Sequence, residues 1–223
     1  EECDDGNDED QDGCSNDCAR RLGRSAEAPG ESCLTLLEDG HSTGSGAYFI
    51  NPDGGEPFQV YCEMEVNEGG WTLVAKLTNQ DGRNWADAEA RWTEANSYGD
   101  TVTLATGTDA KGPAWGRLSG QNFMLSDDGN VGDHLSTNDD CIGGVTMAAY
   151  FTVALGDFPG GGDSHHDTCT VDRSYFPNWM AEPDWDNQNE NSAELSLNHG
   201  QYIVIARTDE GNDTSGVVSG NAT

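Results

Sequence analysis

Seven cysteines constrain this chain more than any other feature: Cys3, Cys14, Cys18, Cys33, Cys62, Cys141 and Cys169. None of them forms a paired CxxC layout of the zinc-binding kind. Only 34% of the 223 residues are hydrophobic and 29 are glycine, so the core is lean and the loops are many. Long loops stay ordered when disulfides, metals or both hold them. In a chain this acidic and glycine-rich, the cysteines read as the disulfides of a secreted protein. Seven is odd. One cysteine is therefore free, joined to another chain, or paired with a segment beyond this sequence.

The charge narrows the partners. There are 41 acids against 10 bases, a net charge of -31. Such a surface repels nucleic acid and anionic membranes, and it favours cations. No run of about 18 apolar residues exists, so membrane insertion is not expected. The chain opens on an acidic, cysteine-bearing stretch that reads as a mature or trimmed N-terminus.

Residues 1–19 hold nine acids and no base. "ARRLGRSAEAPGES" then turns to Arg, Ala, Gly and Pro, so 20–31 reads as a linker. The main domain follows over 32–207. "ESCLTLLEDG" has a Ser start, a short apolar pattern and a Gly stop, which predicts a helix over about 32–39. "GAYFI" and "FQVYCEME" predict strands around the turn "NPDGGEP", and "GGWTLVAKL" predicts a third. "GVTMAAYFTVAL" (143–155) reads as a buried strand or pair of strands, and "QYIVIAR" (201–207) as the last strong strand. The tail, 208–223, has little to pack. Asn212 and Asn221 head weak N-glycosylation patterns.

The stretch "SCLTLLEDG…GAYFINPDGGEPFQVYCEMEVNEGGWTLVAKL" resembles the N-terminal part of a fibrinogen-like domain. It implies an α+β fold: short helices, a small antiparallel sheet and long loops stapled by disulfides and calcium. It also implies a disulfide from Cys33 to Cys62. Closing that loop is worth roughly 3 to 4 kcal/mol by the chain-entropy estimate. The two glycines before Trp71 let its ring enter the core where the backbone turns tightly. Further on, "RWTEANSYGD" (91–100), "HHDTC…YFPN" and Asp184-Trp185 are similar to segments of the intelectins, a branch of calcium-dependent lectins. "EECDDGN…DGCSNDC" resembles a cysteine-rich repeat of bacterial surface proteins, which usually carries one more cysteine upstream. That implies a bacterial secreted or surface-anchored protein, and Cys3, Cys14 and Cys18 belong to this repeat.

The intelectin resemblance implies a calcium ion that holds a sugar diol. His165 stands for the family's histidine and Asn178 for its acid. Trp185 stands for an aromatic flanking the sugar, with Tyr175 and His166 beside it. Asn178 keeps an oxygen but loses a charge, which Asp163 and Asp184 can restore, and the spacing from His165 is two residues longer. Calcium takes six to eight oxygens in flexible geometry, and this region is rich in them. The plain alternative is a loop whose histidines hydrogen-bond locally beside a Cys141–Cys169 disulfide. Zinc is a further alternative, but adjacent histidines diverge and no HExxH helix exists. Asp8, Asp10 and Asp12, followed by Gly13, form the first half of an EF-type calcium loop, although Ala19 stands where the closing acid belongs. The alternative there is a solvated acidic tail.

Catalysis finds no support: GxSxG, Walker A and dinucleotide motifs are all missing. Two functions remain. One is a secreted, calcium-dependent domain that binds glycans or cell-surface polysaccharide. The other is a structural subunit of an extracellular filament or surface layer, self-assembling through its two extensions.

Overall fold

The computed structural model describes residues 20–77, 93–105, 108–127, 130–138, 144–149, 170–172, 193–197 and 201–203. The first helix, α1 (Cys33–Glu38), starts where Ser32 caps it. The Ser32 hydroxyl accepts from the Thr35 amide at 3.1 Å, and the Thr35 hydroxyl accepts from the Ser32 amide at 2.9 Å. Six residues are too few for a helix to persist alone, so α1 depends on what it packs against. Its buried face is Cys33 and Leu36.

Strands β1 (Gly46–Ile50) and β2 (Phe58–Glu63) form an antiparallel hairpin, with Gly46 opposite Cys62 and Ile50 opposite Phe58. The sequence pattern ran this second strand to Glu65, but it stops at Glu63. The Glu63 carboxylate accepts from the amides of Glu65 and Val66 at 2.9 and 3.3 Å, which turns the chain away from the ladder. Strand β3 (Trp71–Leu77) pairs β2 through Cys62–Thr72 and Glu63–Trp71. The short strand β4 (Ala110–Lys111) also pairs β3. It precedes the four-residue helix α2 (Ala114–Arg117).

The sheet is completed by β5 (Asn122–Asp127), β8 (Ala193–Leu197) and β9 (Gln201–Ile203), in the order β1-β2-β3-β8-β5-β9. All of these pairings are antiparallel except β5 with β9. Strands β6 (Asn130–Asn138) and β7 (Thr170–Asp172) form a separate antiparallel pair. Because β4 and β8 both pair Ala75 and Lys76, they lie on opposite edges of β3, and β2 and β4 share an edge. The core gathers here: Trp71, Trp115, Tyr48, Leu36, Ile50, Leu73, Leu118 and Met124 are fully buried.

The glycine pair before Trp71 does what the sequence predicts. Asn67, Glu68, Gly69 and Gly70 all have positive φ. A Cβ on Gly69 would sit 2.2 Å from the Met64 carbonyl oxygen, and one on Gly70 would sit 2.8 Å from Leu34 Cα. The turn delivers the Trp71 ring to the core while its indole N–H donates to the carbonyls of Val66 and Asn67, both at 3.1 Å.

Two readings of the chain need correction. Residues 20–31, read as a linker, are docked on β1: the Phe49 amide donates to Gly23 O (2.8 Å), Gly30 N to Phe49 O (3.0 Å) and Asn51 N to Gly30 O (2.8 Å). This covers part of an otherwise open sheet edge. In 143–155, the described residues 144–149 are not a strand. Val145 makes an isolated bridge to Gly120, and 147–149 form a helical turn in which the Thr146 hydroxyl accepts from the Ala149 amide at 3.3 Å. Methionine and alanine favour helix over strand, and Met147 and Ala148 are buried as the apolar side of that turn. Of the expected last strand, Gln201–Ile203 is seen and 204–207 lies outside the described residues.

Candidate functional site

Of the residues singled out from sequence, Cys33 and Cys62 are described, and they form a disulfide with Cα atoms 5.5 Å apart. Both are fully buried. The bond ties α1 to β2. Asp8, Asp10, Asp12, Asp163, His165, His166, Tyr175, Asn178, Asp184 and Trp185 lie outside the described residues, as do Cys3, Cys14, Cys18, Cys141 and Cys169. Among the described residues, no group of three or more His, Cys, Asp or Glu side chains could hold a metal ion. No helix among them is long and apolar enough to cross a membrane.

The described residues build a frame around three polar centres that the sequence reading missed. The first is a pair of buried lysines. Lys76 on β3 and Lys111 on β4 are 3% and 1% exposed. Burying an ammonium is costly unless acceptors surround it. Lys76 Nζ donates to the carbonyls of Thr103 (3.1 Å) and Ala105 (2.8 Å). Lys111 Nζ donates to Glu94 O and Asn96 Oδ1, both at 2.9 Å, and lies 5.7 Å from the Trp115 ring centre. The two lysines therefore hold opposite ends of one segment, 93–105.

Between those ends the segment is sewn to the sheet. Tyr98 and Lys111 exchange backbone hydrogen bonds at 2.9 and 2.8 Å, and the Tyr61 amide donates to Thr101 O at 2.9 Å. Gly99 fits against β4 because it has no Cβ, which would lie 2.7 Å from that of Ala110. Asp100 accepts from the Val102 amide (2.7 Å) and the Thr103 hydroxyl (2.9 Å). Burial pushes its carboxyl pKa up, but these bonds and the Lys76 charge outweigh it and hold the group below its usual range. The Asn96, Tyr98 and Gly99 of "RWTEANSYGD" thus all serve the Lys111 clamp.

The second centre joins the β1–β2 turn to α2. The Arg117 guanidinium grips both carboxylate oxygens of Asp53, one at 2.7 Å. It also donates to Glu56 O at 2.8 Å and sits 4.6 Å from the Phe58 ring. The hydrogen bonds from Arg117, followed by that from the Gly55 amide, hold the Asp53 carboxyl well below the usual carboxylate range. The third centre is Glu63, 3% exposed, which also accepts from the Ser45 hydroxyl (2.6 Å) and the Tyr61 hydroxyl (3.2 Å). Each centre joins segments that are distant in the chain, so the role these contacts serve is positional. A signal existed for the lysines: each sits in a short strand among small or apolar neighbours, where a solvated lysine is out of place.

With this geometry in view, the relatives can be placed. Residues 30–108 match the family model described as "Fibrinogen beta and gamma chains, C-terminal globular domain". "Fibrinogen-like protein A" of Apostichopus parvimensis is 44% identical over 61 residues, covering 26% of this chain and 21% of that protein. "Angiopoietin-related protein 1" of Homo sapiens is 42% identical over 65 residues, covering 26% of this chain and 13% of that protein. The chain thus spans about a fifth or less of the length of these relatives. The fibrinogen-like globe domain of human ANGPTL6 aligns with a TM-score of 0.33 at 20% identity, over 50% of this chain and 48% of that one. The matched segment is fibrinogen-like, with its short helix, small antiparallel sheet and disulfide.

Proposed function

We propose that this fibrinogen-like chain is a secreted or surface-borne binding module that takes glycan vicinal diols through calcium. The observation that supports this reading is that one paired strand, β7, interrupts its oxygen-rich stretch and another, β8, follows it. Asp163, His165 and His166 lead directly into β7, which pairs β6. Tyr175, Asn178, Asp184 and Trp185 follow β7 and precede β8, which lies between β3 and β5. Ligands that lie close in sequence to paired strands lose less entropy on binding than ligands on a free chain. The register sets Asn138 opposite Thr170. Cys141 follows the one by three positions and Cys169 precedes the other, so a disulfide between them would close the loop.

In this reading Asp163, His165, Asn178 and Asp184 hold the calcium, with the two aspartates offsetting the neutral Asn178. The ion exchanges two shell waters for adjacent sugar hydroxyls. Trp185, with Tyr175 and His166 beside it, packs on the sugar's C–H face and excludes water. Asp8, Asp10 and Asp12 form a second, independent calcium site.

Calorimetric calcium titration of the full chain and of His165→Ala tests this. Loss of one binding event in the variant supports the site, and a glycan array with and without EDTA then reads the ligand. Identical titrations refute it. A second reading, assembly into an extracellular filament or surface layer, is favoured by the odd cysteine count. It is tested by whether the mass in solution falls when reductant is added.

A further inference from the structure

We propose that Arg21 and Arg24 form an anion-receiving patch whose occupant is this chain's own acidic segment, residues 1–19. This goes beyond the glycan reading and does not depend on it. Three of the chain's ten bases, Arg20, Arg21 and Arg24, fall within five residues. They are carried on the segment docked against β1, where Gly23 O accepts from the Phe49 amide. Arg24 stacks over the Tyr48 ring at 4.9 Å, and Arg20 donates to Glu27 O at 3.1 Å.

What sets this patch apart is unspent hydrogen-bonding capacity. Arg21 Nε, Arg24 Nε and Arg24 Nη2 are buried without a hydrogen-bond partner. The Arg117–Asp53 ion pair lies elsewhere. Glu27, three residues after Arg24, accepts from Ser25 instead. Half-buried guanidinium groups with unmet N–H donors favour a carboxylate, which can accept two such bonds at once.

The chain's net charge of -31 repels an external polyanion, whereas the acidic arm is covalently attached one residue before Arg20. Its 19 residues carry nine acids and no base, and can reach up to about 60 Å. A short tether gives an effective concentration on the order of millimolar. That is enough for a few charge-assisted contacts to keep the arm docked at low salt.

The test is cleavage at Glu9 by a glutamate-specific protease on the full, disulfide-intact chain, with a peptide of residues 1–19 to correct for salt effects on the protease. At low salt, wild type should be cut about tenfold more slowly than Arg21→Gln/Arg24→Gln. The charge-keeping Arg21→Lys/Arg24→Lys should stay slow, and the difference should vanish at about 0.5 M NaCl. Near-UV circular dichroism checks that the variants fold. Were the Gln variant to unfold, the salt series on wild type would decide alone. Equal rates for wild type and the Gln variant, or salt-insensitive protection, overturn the proposal. So does protection that grows with protein concentration, which assigns the patch to a second copy's arm. A dextran sulfate complex on a chain whose arm is cut at the variant's rate also overturns it, in favour of an external polyanion.

Discussion

Removing the Cys33–Cys62 disulfide should cost this fold a large share of its stability. The bonded residues are 29 apart in sequence. Closing a loop of that length restricts the unfolded chain by about 3.5 kcal/mol in the chain-entropy model. Both cysteines are fully buried, so Cys33→Ala/Cys62→Ala also removes packed sulfur, worth roughly 1 kcal/mol more. The total, about 4 to 5 kcal/mol, compares with about 5 to 15 for a typical domain. The loss has a location. The helix α1 is too short to stand alone, and the disulfide ties it to β2. Urea unfolding of wild type and double variant reads the total, and amide exchange reads the location. Exchange over 33–39 should rise towards the free-chain rate before the β1–β2 amides open. A stability change under about 1 kcal/mol would refute the reasoning, because it would mean that packing alone holds α1 in place.

The buried-lysine clamp and the Asp53–Arg117 pair give two more tests. Lys111→Met keeps the side-chain volume but leaves Glu94 O and Asn96 Oδ1 without their donor. Amide exchange at Tyr98 and Lys111 should accelerate about tenfold while the β1–β2 hairpin is unchanged, and unchanged protection at Tyr98 would contradict the clamp. Asp53 has a folded-state carboxyl pKa below its unfolded value, so its contribution is present above the ordinary carboxylate range and is lost as pH falls through the folded-state pKa. Asp53→Asn should therefore be less stable than wild type near neutrality and converge with it in strong acid. Its 42% exposure keeps the difference small, and a gap that widened on acidification would refute the sign.

Much of the frame was legible because its signals are local. Ser32, the apolar run after it and Gly40 delimit α1 to within a residue. The turn "NPDGGEP" sets the β1–β2 register, and Gly69-Gly70 before Trp71 permits one backbone turn. Where the reading failed, the deciding contact was remote. Nothing in "ARRLGRSAEAPGES" shows that Gly23 and Gly30 will bond to Phe49. "GVTMAAYF" has the apolar density of a strand, and at 147–149 its Met and Ala form a helical turn capped by Thr146. The proposed cation site was legible only as a set of residue types, because metal ligands are chosen by spatial convergence and not by spacing along the chain.

By itself the sequence determined the hairpin, the short capped helix, the central strand after the glycine pair and the fibrinogen-like character of the segment they form. Each of these depends on turn chemistry, capping or side-chain alternation within a dozen residues or so. Only the tertiary structure decided that Lys76 and Lys111 would turn inward to hold 93–105, that Arg117 would reach back to Asp53, and that 20–31 would cover the β1 edge. A buried charge is tolerable only where acceptors from distant segments meet it, and chain connectivity does not reveal where distant segments meet.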